Sequence, residues 1–129
     1  MDEKEKWRFR VFLDGEGRCD FTHEWQRNLP PEAKTRWRWI VKTMKGLKNW
    51  PNTGYIEPLT GYDGIFEIKF RAGRVVYRPL GCYAPNQSFI LLLGAKEHGD
   101  RLEPINAAWK AMKNKQALSQ NRGTTREYY

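Results

Sequence analysis

Between Gly64 and Leu80 the chain reads GIFEIKFRAGRVVYRPL, a run in which cations are threaded through an apolar pattern. Glu67, Lys69 and Arg71 alternate with Phe66, Ile68 and Phe70, the period of a half-buried strand. Ala72-Gly73 is a turn signal, and the return strand sets Arg74, Val76 and Arg78 against Val75 and Tyr77. A core has no use for these cations, and a sheet face that carries several of them suits phosphate groups. A continuous apolar run, Phe89 to Leu93, follows as a central strand covered on both faces. Lys96, Glu97 and His98 stand where that strand ends, a usual place for functional groups. An unperturbed histidine titrates near pKa ~6.5, which suits it to moving protons at neutral pH.

These groups need a frame to hold them. Lys6 to Asp14 alternates as a first strand, with Trp7, Phe9, Val11 and Leu13 on one face and Arg8, Arg10 and Phe12 on the other. Asp20 to Arg27 reads as a short helix capped by Asp20. Pro30-Pro31 ends it and starts a second helix that runs to about Asn49. Its apolar face is Ala33, Trp37, Ile40, Val41, Met44 and Leu47. Lys34, Arg38, Lys42 and Lys45 form a basic stripe on another face, which reads either as solvated surface or as contact with a polyanion. Trp50 to Asp63, rich in Pro and Gly, is expected as an ordered loop. Asp100 to Ser119 is expected as a third helix with Ile105, Ala108, Trp109 and Met112 inward, and residues 120–129 as a loose polar tail. The order predicts one α+β domain over 1–119, a small, mainly antiparallel sheet with its helices on one side.

Composition sets limits on function. The chain has 129 residues, 40% apolar and 29% charged, enough for one core. Lys and Arg number 23 against 15 acids, a net charge of +8, which favours a polyanionic partner. No apolar run approaches the ~20 residues of a membrane span, and the N-terminus lacks the apolar stretch of a signal peptide. Cys19 and Cys82 have no metal spacing and read as small side chains in a reducing cytoplasm. No metal or cofactor is expected.

The element order, with Gly64-Ile-Phe-Glu-Ile-Lys-Phe-Arg, Val76-Tyr-Arg and Leu92-Leu-Gly-Ala-Lys-Glu-His-Gly-Asp-Arg-Leu-Glu-Pro, resembles the RelE/ParE toxin superfamily. The nearest branch is the HigB-like one, with its phage-derived members. The resemblance covers about residues 30–118. It implies a microbial RNase-like sheet with two N-terminal helices and a C-terminal helix. It also implies a toxin of a type II toxin–antitoxin pair, a ribosome-dependent mRNA endoribonuclease. Its partners would be the ribosome, mRNA and a cognate antitoxin, expected to be a helix-turn-helix protein encoded next to it. Leu93 stands where that branch commonly carries His, and Glu97-His98 stands where it has a double lysine.

Metal-free RNA cleavage needs a base near the 2′-OH, cations around the phosphorane and an acid for the leaving oxygen. On the resemblance, Arg71, Arg78 and Lys96 would hold the phosphate and His98 or Glu97 would move protons. Lys34, Arg38, Lys42, Lys45, Lys69 and Arg74 would bind RNA. Tyr77 reads as a core aromatic, and Tyr128-Tyr129 is a second place for a functional tyrosine. Two other readings stay open: a ParE-like gyrase poison, and a phage-derived homologue that binds RNA or protein without cleaving.

Overall fold

A computed structural model describes residues 5–128 of the chain. Tyr129, one of the two C-terminal candidates, lies outside the described residues. Strand β1, Arg8–Leu13, is followed by a short π-helical segment, Phe21–Gln26, and by helix α1, Pro31–Gly46. Strands β2 (Ile56–Pro58), β3 (Phe66–Ile68), β4 (Phe70–Ala72), β5 (Val75–Tyr77), β6 (Leu80–Ala84), β7 (Ser88–Leu93), β8 (Lys96–His98) and β9 (Arg101–Glu103) come next. Helix α2, Ala107–Ser119, and strand β10, Thr124–Tyr128, complete it.

The expected small sheet with two N-terminal helices and its helices on one side is not what the chain forms. Among the described residues ten strands make two sheets, one ordered β10-β1-β7-β6-β3-β2 and one ordered β4-β5-β8-β9. Among the described residues of the N-terminal half only α1 is a full helix. The Asp20 segment is a turn and a half of π-helix, without a side-chain cap from Asp20. The large sheet is mainly antiparallel, but β1 and β7 run parallel at its centre, with Phe9 beside Phe89 and Val11 beside Leu91.

That centre carries two cores, one on each side. Phe9, Val11, Phe89 and Leu91 pack towards Trp37, Ile40 and Met44 of α1. Phe12, Leu80, Cys82 and Leu92 pack towards Ala107 and Ala111 of α2. The apolar run Phe89 to Leu93 is thus covered on both faces, as its lack of alternation requires. The two cysteines are buried and free.

Three expectations at the C-terminal end fail for identifiable reasons. Residues expected to begin the third helix instead form a hairpin, β8–β9, around the two-residue turn Gly99-Asp100, with Gly99 at φ 63°. α2 presents Ala107 and Ala111 to the sheet, while Ile105 and Trp109 are 65% and 54% exposed. Small alanines let the helix approach closely, and the indole is left outside under Lys113. The tail is not loose: β10 pairs with β1, Arg8 Nη2 reaches Glu127 Oε1 at 2.7 Å and Arg10 Nε donates to Thr125 Oγ1 at 2.7 Å. Tyr128 is buried, and its hydroxyl accepts from Trp37 Nε1 at 2.8 Å. The supposed loop after Trp50 also supplies β2, and Trp50 itself is wholly buried, donating to the Met44 carbonyl at 2.8 Å.

Candidate functional site: an arginine–carboxylate cluster and a basic helix

The sheets meet along one hairpin. Glu67 pairs with Leu80, and Phe70 with Tyr77, on one unbroken register. At the joint between them stand Lys69 and Arg78. Lys69 turns its N–H away, to the Tyr55 carbonyl at 3.0 Å, and Arg78 donates its own to the Ala95 carbonyl at 2.8 Å. Arg71 lies opposite Val76, so Arg71, Lys69 and Arg78 share the outer face of the small sheet, while Phe70 and Tyr77 stack on the inner one, 5.1 Å apart. The two-residue turn Gly73-Arg74 joins the strands, with φ 62° at Gly73, and leaves Arg74 exposed.

Arg78 is the centre of a cluster. Its Nη1 donates to Glu67 Oε1, its Nε to Glu97 Oε2 at 2.6 Å, and its Nη2 also contacts Glu97. Glu67, whose spacing placed it on the open face with Lys69, is in fact only 3% exposed. Burial pushes its carboxyl above its ordinary range, with Arg78 opposing and Glu57 adding to the rise. Glu97 and Arg78 remain half-buried and reachable from solvent.

The small sheet splits the five expected catalytic residues between its two faces. Tyr77 lies opposite Lys96, so Glu97 falls on the face of Val76 and Arg78. Lys96 and His98 fall on the other, where Glu103 holds both. Lys96 Nζ is 3.9 Å and His98 Nδ1 3.1 Å from its carboxylate oxygens. Arg71, Arg78 and Glu97 therefore share a face, and Lys96 and His98 do not join them. Tyr77 is buried, and burial raises its hydroxyl pKa, which suits a core side chain and not an acid or base. Two partners, Glu67 and Glu103, escaped the sequence reading. Gly99-Asp100 between two three-residue runs was the signal that would have folded Glu103 back over Lys96. No comparable signal marked Glu67.

The basic stripe of α1 is arranged differently. Lys34, Arg38, Lys42 and Lys45 all line one cavity of about 280 Å³, with Trp37, Val41 and Tyr128 as its apolar wall. Among the described residues, Glu5 is the one carboxylate that lines it. Among the described residues none of these four cations has an ion pair. On the opposite flank of α1 lies a shallower groove lined by Glu32, Thr35, Arg36, Trp39, Arg71 and Ala72. No three His, Cys, Asp or Glu side chains among the described residues gather as a metal site. No described helix is long and apolar enough to cross a membrane.

Comparisons with protein-family models, with curated proteins and with solved structures find no match for this chain.

Proposed function

We propose that this chain is an RNA-directed toxin of a toxin–antitoxin pair, acting in the cytoplasm as a metal-independent endoribonuclease on ribosome-bound mRNA and held in check by a cognate antitoxin. The observation that carries the reading is the contact between Arg78 and Glu97 on an accessible face of a rigid sheet. A guanidinium has five N–H donors, and the two carboxylates engage three of them. Two remain for the non-bridging oxygens of a phosphate. Glu97 takes the proton of the 2′-OH, the 2′-oxygen bonds to phosphorus, the 5′-oxygen leaves and is protonated by water. Glu67, buried behind Arg78, fixes the guanidinium and does not touch substrate. The α1 cations supply the backbone contacts that hold the strand, with Lys69, Arg71 and Arg74 beside the cluster.

A second reading, RNA or protein binding without cleavage, is favoured by one specific feature. Lys96 and His98 face away from Arg78, so no histidine stands on that face to protonate the leaving oxygen. Induced expression followed by mapping of mRNA 5′ ends separates the two. The proposal expects growth arrest with new 5′ ends, lost about 100-fold in Glu97→Gln, the scale of one transition-state contact. A folded parent that binds RNA but yields no new 5′ ends leaves only the second reading. Cutting that persists in Glu97→Gln removes Glu97 from the site.

A further inference from the structure

We infer that Trp39 is a stacking platform for an unpaired base of single-stranded RNA, on the flank of α1 opposite the basic cavity. The inference rests on the reading of the chain as RNA-directed and adds the strandedness of what it binds. Trp39 is 47% exposed, although the same helix buries Trp37 at 3% two residues earlier. Helix geometry explains the difference. Ala33, Trp37, Ile40 and Met44 form the inward stripe, and Glu32, Arg36 and Trp39 lie together on one side of it.

The surroundings of Trp39 are cationic. The Arg36 guanidinium carbon lies 4.8 Å from its ring centroid, a distance at which guanidinium and indole attract. Tyr55 meets the indole edge-on at 6.4 Å, which limits how the ring can turn. Arg71 of the small sheet borders the same groove. Arg38 is the next residue towards the N-terminus, and Lys42 stands one turn further on; both belong to the basic cavity on the other flank. Glu32 is the only carboxylate among the described residues lining the groove. An exposed ring set among cations is the arrangement that takes single-stranded nucleic acid, because every base has a face to stack and every nucleotide a phosphate to pair. In a duplex the bases are already stacked on each other and offer no such face.

The charge balance decides between RNA and a protein chain as occupant. Arg36 stands over the ring and Arg71 borders its groove, against Glu32 as the one carboxylate among the described lining residues, which fits a backbone with one negative charge per residue. Arg71 also shares its sheet face with Arg78, so a strand stacked on Trp39 has a cationic path towards the Arg78–Glu97 pair.

The test is binding of a fluorescently labelled 12-nucleotide unstructured RNA, and of a 12-base-pair RNA duplex, to the full chain by anisotropy. Trp39→Ala is expected to weaken single-strand binding about tenfold and leave duplex binding unchanged. Trp39→Phe should retain most of the affinity. Trp109→Ala, an equally exposed indole on the far side of the large sheet, should change neither. Thermal melts of the variants confirm that folding is kept. If Trp39→Ala binds the single strand as tightly as the parent, the stacking site is wrong while the RNA reading stands. If both RNAs lose affinity equally, Trp39 is not a reader of unpaired bases. If the parent binds neither RNA, the RNA reading itself fails, and the groove fits a protein partner instead.

Discussion

The chain carries two sets of cations, and they are held in opposite ways. On the small sheet, Arg78 is tied to Glu67 and Glu97, and Lys96 and His98 are tied to Glu103. On α1, Lys34, Arg38, Lys42 and Lys45 surround a cavity and have no ion pair among the described residues. Both sets look alike in the sequence, as Lys and Arg at regular spacing. A net charge of +8 therefore does not say where free charge is. Arg78 is held by two carboxylates in a half-buried joint, whereas Lys96 and His98 are held by an exposed one. The helix cations are the ones left without a carboxylate partner among the described residues.

The comparison breaks most visibly at Arg78. Arg78→Ala removes the partner of a carboxylate that is 3% exposed, so it should cost about 3–5 kcal/mol of stability. Adding Glu67→Gln to that variant should recover much of the loss, since the uncompensated buried charge is gone. Arg38→Ala, by contrast, should move stability by no more than about 0.5 kcal/mol. Urea denaturation of the four proteins checks this, and an Arg78→Ala variant as stable as the parent would mean that the Glu67 contact is not made. For the same reason, loss of toxicity in Arg78→Ala alone says nothing about catalysis, and Glu97→Gln is the cleaner probe.

Tyr128→Phe comes next in size. It leaves the Trp37 N–H, donated at 2.8 Å to the lost hydroxyl, buried without that partner. About 1–3 kcal/mol of destabilisation is expected by denaturation, and none if the C-terminal strand is not docked.

The Glu67 carboxyl gives a dependence on pH whose sign can be worked out. Its folded pKa lies above its unfolded one, so the folded state binds the proton more tightly. That contribution is full below the unfolded pKa, ~4.3, and is lost as pH rises through the folded value. Relative to Glu67→Gln, the parent should therefore gain stability as pH falls from neutrality towards 4.3. A pH series of denaturant midpoints for the pair measures it, and a parent that loses ground on acidification contradicts the assignment.

The smallest effect belongs to His98. Its contact with Glu103 is exposed, so His98→Ala should change stability by no more than about 0.5 kcal/mol. RNA affinity and cleavage should also be untouched, because His98 faces away from Arg78.

How much of this was legible in the sequence differs by element. The first strand, the main helix with its inward face and the doubly covered strand after Gln87 follow from period alone, because burial on one or both sides leaves its mark on every residue. The Phe66–Tyr77 hairpin was also readable, with its turn shifted by one residue. The second sheet was not. Strands of three residues, such as Lys96–His98 and Arg101–Glu103, are too short to show a period. The inward face of α2 was misread because its contact is made by alanines and the larger Ile105 and Trp109 drew the assignment. The tail was misread because its sequence is polar, whereas its docking rests on backbone pairing to β1 and on one buried tyrosine. The candidate residues divide for a related reason: Lys96, Glu97 and His98 are neighbours in the chain, and a strand sends neighbours to opposite faces, so Glu97 joins Arg78 and the other two do not.

On the proposed RNA-directed function, the helix cations, more than the sheet cluster, provide the electrostatic hold on RNA. The most direct measurement is the slope of log affinity against log salt for a labelled single-stranded RNA. It is taken for the parent, for the Lys34→Ala/Arg38→Ala/Lys42→Ala/Lys45→Ala variant and for Glu97→Gln. Each phosphate contact on a single strand contributes about −0.7 to the slope. The helix variant is expected to lose about 2–3 units of slope if all four residues meet phosphates, while Glu97→Gln keeps the parent's value. A helix variant with the parent's slope, or a slope that shifts in Glu97→Gln instead, would contradict it.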